Sequence, residues 1–414
     1  MLSFNIISIL VSLTALASYI NYRYVKLPKS IGITSITLIL SLFMVVGGKM
    51  GFDVGYRDNI FGDIKFNETF LHGMLSFLLF AGSLHVNVIE LSRYKVLIAS
   101  LATFSVIFST FFVGVSLYFL TQLLCINLPF YYCFAFGALI SPTDPIAVLG
   151  VLKIVRAPRS LELKIAGEAL FNDGMGIVLF FVSLSLAYGQ NMSLSLDTIF
   201  FYFVRQGLGG LFLGLIVGYF SAILLKNVND PEVAIIFTLG LVSGGYYFSH
   251  SVLEVSGPIC MATAGLVMSN IIKQGEMTEE TMIRLGSFWE LLDEVLNAIL
   301  FVLIGLEFIG IQFDLYIVFS AIVVVCVTLF GRWLSILIPI FSLSHFRMIN
   351  FPLLNVLTWS GLRGGVSIAL ALSIEGMYHN FLVAITYAVV IFSMMVQGFT
   401  VGVVVKSYVR RKKN

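Results

Sequence analysis

The chain has 414 residues, of which 59% are hydrophobic and only 11% charged, with a formal net charge of +2. A soluble domain carries about a quarter charged residues, so this composition excludes an ordinary water-soluble fold and points to a membrane protein. The near-neutral balance also argues against a nucleic-acid partner.

The N-terminus (Met1, Leu2, Ser3, Phe4, Asn5) lacks the basic stretch of a cleaved signal peptide, so the first apolar segment is expected to stay as a membrane helix. Cutting at polar breaks, with about twenty apolar residues per span, predicts thirteen helices near residues 3–20, 28–48, 68–87, 96–122, 130–152, 163–187, 198–225, 233–252, 257–271, 283–308, 315–342, 351–374 and 381–405. Cytoplasmic loops of membrane proteins are enriched in Lys and Arg. With the N-terminus outside, 18 of the 24 basic residues fall in inside loops or in the tail. The outside loops hold only Lys49, Arg57 and Lys65, and Arg205, Arg332 and Arg363 lie within spans. The expected arrangement is therefore one all-α polytopic domain, residues 1–405, with the N-terminus out and a short basic cytoplasmic tail, 406–414. Cys125, Cys133, Cys260 and Cys326 are scattered through apolar segments without paired spacing, and read as small apolar residues.

The fifth span contains Ser141, Pro142, Thr143, Asp144 and Pro145. Each proline removes a backbone N–H and clashes with the preceding turn, so the helix cannot run through this point. Freed backbone groups at membrane depth are tolerated only where they line a cavity or bind something. The twelfth span is weakened in the same way by Gly361, Gly364 and Gly365 around Arg363. The two breaks lie seven spans apart, so their helices run in opposite directions. Interrupted helices at corresponding positions of inverted halves mark a transporter substrate site. Six helices, a linker and six more, forming two inverted repeats, fit the count.

Charge collects around these breaks. The sixth span carries Glu168, Asn172 and Asp173, with Glu168 and Asn172 four apart on one face and Asp173 turned slightly from it. Intramembrane acids are expensive and face the bundle interior. Asp144 and Asp173 can hold protons or a hard monovalent cation, with Thr143 supplying a hydroxyl oxygen. The absence of a His/Cys cluster argues against a transition metal. Glu290, Asp293 and Glu294 form a stripe in the tenth span, which fits an ion funnel or an interfacial patch equally well. Arg332 and Arg363 need anionic partners, and Glu168 is the available one. The five histidines, His72, His85, His250, His345 and His379, show no pairing that suggests a proton relay.

Four motifs then carry a family resemblance: Ser141-Pro-Thr-Asp-Pro145, Gly167-Glu-Ala-Leu-Phe-Asn-Asp-Gly174, Leu303-Ile-Gly-Leu306 and Gly361-Leu-Arg-Gly-Gly365. In this order they resemble the monovalent cation:proton antiporters, and specifically the NhaP branch, prokaryotic relatives of the eukaryotic sodium/proton exchangers. Phe77-Leu-Leu-Phe-Ala-Gly-Ser-Leu-His85 is a weaker match of the same kind. The resemblance implies an NhaA/NhaP-like fold with unwound crossing helices. It implies a homodimer in a prokaryotic inner membrane, and a transporter without cofactors, not an enzyme. Asp173 would be the central cation and proton carrier, Asp144 its partner, Thr143 an oxygen donor and Asn172 an orienting group. Glu168 would pair with Arg332, with Arg363 as the alternative; otherwise Arg363 would serve the break in the twelfth span.

Asn172, where electrogenic branches carry a second aspartate, implies electroneutral exchange of one Na⁺ (or Li⁺) for one H⁺. Ala169 replaces a serine common in the family, which leaves K⁺ as well as Na⁺ compatible with the site. Other classes fit less well. An intramembrane aspartyl protease would carry a Gly-x-Gly-Asp element, which is absent, and a channel would not need a protonatable site between broken helices.

Overall fold

The computed structural model describes residues 4–49, 73–84, 86, 88–188, 196–272, 275, 277–307, 314–343 and 351–413, and among these all regular structure is helical. Helix α1 (Phe4–Ile20) and α2 (Lys29–Lys49) are followed by α3 (Leu75–Leu84) and a short α4 (Val88–Ser92). Between α1 and α2 the chain turns through 108°. Helix α5 (Lys95–Leu123) is long, and α6 (Phe130–Ile140) and α7 (Ile146–Ile154) are the two halves of a broken rod. There follow α8 (Arg159–Ala187), α9 (Leu196–Leu225), α10 (Pro231–Tyr247), α11 (Gly257–Ile272), α12 (Glu279–Glu307) and α13 (Leu315–Leu343). A second broken rod comprises α14 (Phe351–Trp359) and α15 (Gly365–Leu372). The last rod is α16 (His379–Phe392) and α17 (Gly398–Lys413), joined by a wide turn over Ser393–Gln397.

Each predicted segment overlaps a helix or a broken pair among the described residues, although residues 68–72, 85 and 87 of the third and 308 of the tenth lie outside them. Six helices, α5, α8, α9, α10, α13 and the last rod, are each long and apolar enough to cross a membrane unaided. Their outer faces carry exposed Phe212, Phe220, Ile322, Phe330 and Val403. A water-soluble protein does not tolerate so much exposed apolar surface, whereas lipid does. The basic tail does not fray from the last span: α17 continues through it to Lys413. Lys and Arg are good helix formers, and cations near a helix C-terminus interact favourably with its exposed carbonyls.

The two broken rods cross at their breaks. The Asp144 amide, whose helical partner would have been the Ile140 carbonyl, instead donates to the Leu362 carbonyl of the other break at 2.8 Å. The crossing also divides the apolar interior. One buried cluster joins α6 and α15 to Leu170, Phe180 and Leu184 of α8, and another joins α7, α14 and α17. A third, around Trp289, ties α3, α10 and α11 to α12. The polar residues of the breaks occupy the layer between the first two clusters.

Candidate cation and proton site

The breaks create polar backbone that must be satisfied. Pro145 has no N–H for the Ser141 carbonyl. The Ile146 amide, which would have served the Pro142 carbonyl, turns to Asp144 Oδ1 at 2.9 Å in a local turn just ahead of α7. Both orphaned carbonyls are taken by one guanidinium: Arg363 Nη1 donates to the Ser141 carbonyl and, at 2.6 Å, to the Pro142 carbonyl. Arg363 therefore serves the break opposite its own, whereas the sequence pattern predicts that it stabilises the break containing it. The reason is reach, since its backbone lies at one break and its long side chain extends to the carbonyl ends of the other. Its own amide donates to Ser393 Oγ at 2.7 Å, and the Trp359 carbonyl accepts from Gln397 Nε2 at 3.4 Å. The sequence pattern did not single out Ser393 or Gln397. Their four-residue spacing within the last span was the available signal.

Asp144, on the first break, and Asp173, on α8, line one cavity of about 180 Å³. Both carboxylates are half-buried, while the residues behind them, Thr143 and Asn172, are buried. Asn172 Nδ2 donates to Thr143 Oγ1 at 2.8 Å, linking α8 to the break. Among the described residues, Asn172 Oδ1 is buried without a hydrogen-bond partner. An unmet buried acceptor costs about 1–3 kcal/mol, which a donor or a cation brought to it would recover. Thr143 is buried between Pro142 and Asp144, which line the cavity. Ala169 and Ser367 also line it; the Ser367 hydroxyl is a lining group that no sequence motif marked.

The pair expected between Glu168 and an arginine is made with Arg332 of α13. Glu168 Oε1 and Arg332 Nη2 lie 2.5 Å apart, each side chain 3% exposed. Gly361 gives this guanidinium its room, because a Cβ there would lie 2.9 Å from Arg332 Nε. Gly364 does the same for the first break, where a Cβ would lie 2.5 Å from Asp144 Oδ2. Replacing Gly364 with Ala must displace the Asp144 carboxylate, and displacements of about 1 Å at a reacting site can cost up to a hundredfold. We expect Gly364→Ala to accumulate in the membrane at wild-type levels with transport slowed about tenfold or more; a wild-type rate would refute this packing.

The acidic stripe of α12 divides. Glu294 is exposed and pairs with Lys29 at 2.6 Å, and Glu290 is exposed, while Asp293 faces the cavity. His250 stacks on Tyr246, and the Nδ1 of His379 contacts the Ile374 carbonyl at 2.6 Å. His72, His85 and His345 lie outside the described residues.

Residues 9–407, nearly the whole chain, match the family described as sodium/hydrogen exchanger, transmembrane. The chain belongs to that family. A relative in Pseudomonas aeruginosa, the Na(+)/H(+) antiporter NhaP, is 38% identical over 97% of this chain and 96% of its own. The Na(+)/H(+) antiporter NhaH of Halobacillus aidingensis is 30% identical over 93% of each chain. Among solved structures, the sodium proton antiporter MjNhaP1 from Methanocaldococcus jannaschii superposes with a TM-score of 0.77 at 20% identity, covering 98% of this chain and 99% of that one. That likeness establishes the antiporter fold.

Proposed function

We propose that the chain is a secondary active transporter exchanging Na⁺ (or Li⁺) for H⁺ across a prokaryotic inner membrane, one for one, by competition at Asp144 and Asp173. The observation that carries this reading is that both carboxylates line one cavity where two broken helices cross. No lysine or arginine forms an ion pair with either among the described residues, so a cation from solution or a proton must balance them.

Charge at the crossing supports the stoichiometry. At the level of the two breaks themselves, three carboxylates, Asp144, Asp173 and Glu168, stand with two guanidinium groups, Arg332 and Arg363, leaving one uncompensated negative charge there. One Na⁺ or one H⁺ neutralises it. Moving the loaded site past apolar surroundings then costs little, whereas the empty site carries a buried charge whose desolvation opposes movement. Exchange follows without a separate energy source, and a second acid at position 172 would upset the balance. In the cycle, deprotonated Asp144 and Asp173 bind the cation, with Thr143 and Asn172 orienting the break. The bundle carrying both crossings then shifts, the cation leaves, and a proton returns.

The basic-residue distribution supports an N-out, C-in orientation, which puts the cavity on the cytoplasmic side of Asp173. The homodimer implied by the family resemblance belongs to this proposal too, and the mass of the detergent-solubilised particle checks it.

Everted vesicles with an imposed pH gradient test the exchange. Na⁺ and Li⁺ should collapse the gradient, K⁺ should not, and clamping the membrane potential should leave the rate unchanged. Collapse by K⁺ alone would overturn the choice of cation, and dependence on potential would overturn the one-for-one ratio. Ala169→Ser adds a hydroxyl to the cavity wall. One added neutral oxygen contact is worth about 0.5–1.5 kcal/mol, so the Na⁺ concentration at half-maximal rate should fall roughly two- to tenfold. An unchanged value would remove position 169 from the cation's surroundings.

A further inference from the structure

Asp293 is a carboxylate on the cavity that the exchange reaction described above does not use. It lies on α12, which does not belong to either broken rod, and it is half-buried against the same space as Asp144 and Asp173. Its rotamer is held from its own helix: Asn297 Nδ2 donates to Asp293 Oδ1 at 3.1 Å and to the Asp293 carbonyl at 2.9 Å. Asn297 itself is only 5% exposed and also lines the cavity. The nearby cation, Lys29, is committed to the neighbouring Glu294, and no lysine or arginine pairs with Asp293 among the described residues.

Helix geometry gives its depth. Leu300 of α12 packs on the second break, where a Cβ added to Gly365 would collide with its side chain. Asp293 is seven residues earlier on the same helix, which at 1.5 Å per residue is about 10 Å from the level of the crossing. It lies towards the end of α12 where Lys29 and Glu294 meet at the exposed surface. A carboxylate at that depth, fixed in place and without a protein counter-charge, is suited to a cation that still keeps part of its water.

We propose that Asp293, oriented by Asn297, is a capture site at which an incoming monovalent cation is held before it reaches Asp144 and Asp173. This rests on the exchange reading above. The site acts on arrival: it raises the local cation concentration ahead of the central pair and takes no part in the proton step. A unit charge at about 10 Å in a partly hydrated cavity is worth a small factor in occupancy, on the order of three- to tenfold.

The test applies Na⁺ to everted vesicles, in which the cytoplasmic face is accessible, and separates half-saturation from maximal rate. Asp293→Asn should raise the Na⁺ concentration at half-maximal rate about three- to tenfold, with the maximal rate within about twofold of wild type. Asp293→Glu should recover most of the loss. Glu290→Gln, an exposed carboxylate one turn away, controls for bulk surface charge and should leave half-saturation unchanged. Unchanged half-saturation in Asp293→Asn, or an equal rise in Glu290→Gln, would overturn the capture site. So would a maximal rate that collapses in Asp293→Asn while half-saturation stays put.

A second measurement keeps this outcome separate from the exchange reading. Na⁺ raises the thermal-unfolding midpoint of the purified protein if it binds, and the Na⁺ concentration giving half of that rise should shift by the same factor in Asp293→Asn. If wild-type vesicles show no cation-driven proton movement, the exchange reading fails while this binding shift still decides the site.

Discussion

Asp173→Asn is expected to abolish Na⁺-driven proton movement while the protein accumulates normally in the membrane. Asparagine keeps the shape of the side chain and most of its hydrogen-bonding capacity, so the wall of the cavity between α8 and the first break should persist. What disappears is the one charge that changes when cargo is exchanged. A unit charge about 4 Å from a cation, at an effective dielectric of about 20, is worth about 4 kcal/mol, or roughly a thousandfold in occupancy. Asp144→Asn should lose transport on the same scale, because it removes the second of the two carboxylates at the crossing. It should keep the turn ahead of α7, since an amide oxygen can accept from the Ile146 amide as Asp144 Oδ1 does. Asp144→Ala adds loss of that hydrogen bond, worth about 1 kcal/mol, and should unfold at lower temperature than Asp144→Asn. Vesicle assays across a range of Na⁺ concentrations, with expression checked by detergent extraction, decide the matter. Substantial exchange by Asp173→Asn would end the assignment of Asp173 as the carrier.

The parts of this architecture that follow local chemical rules were readable from the chain. Proline stops a helix wherever it falls, so Pro142 and Pro145 by themselves announce the first break. A run of apolar residues long enough to span lipid announces the rods. A buried charge must find its opposite, which brings Glu168 to Arg332. What the chain could not announce depends on crossings between distant elements. Arg363 lies at one break and caps the carbonyls of the other, a contact spanning more than two hundred residues. Ser393 supplies the acceptor for the Arg363 amide from the wide turn between α16 and α17, thirty residues further along the chain. Asp293 and Glu294 are adjacent in one acidic stripe, yet one faces the cavity and the other pairs with Lys29 at the surface. Periodicity places both on one side of α12, and only the packing of α12 against the second break determines which of them turns inward.

The Glu168–Arg332 pair yields the other large effect, and it falls on stability. Both side chains are 3% exposed, and Arg332 Nε has no hydrogen-bond partner. Removing one member of a buried pair leaves an uncompensated charge and typically costs about 3–5 kcal/mol. Glu168→Gln leaves the buried Arg332 guanidinium without its paired carboxylate. We expect it to accumulate poorly and to lose its thermal-unfolding transition well below that of wild type. Arg332→Gln should follow the same course for the opposite reason, leaving Glu168 buried without its counter-ion. The two changes should not add. Replacing a buried pair by apolar residues of similar volume is often neutral or stabilising, so Glu168→Leu combined with Arg332→Met should be more stable than either Gln variant alone. Thermal unfolding in detergent, read by the fraction remaining monodisperse after heating, gives the ranking. A double variant worse than both single ones would mean that the pair does more than neutralise itself. Its charges would then be needed to hold the second break open at Gly361, where Arg332 Nε lies against the backbone. Recovery of stability without recovery of transport would point the same way from the other side. The fold would tolerate an apolar pair, while the charge balance at the crossing, which makes the loaded site neutral, would not.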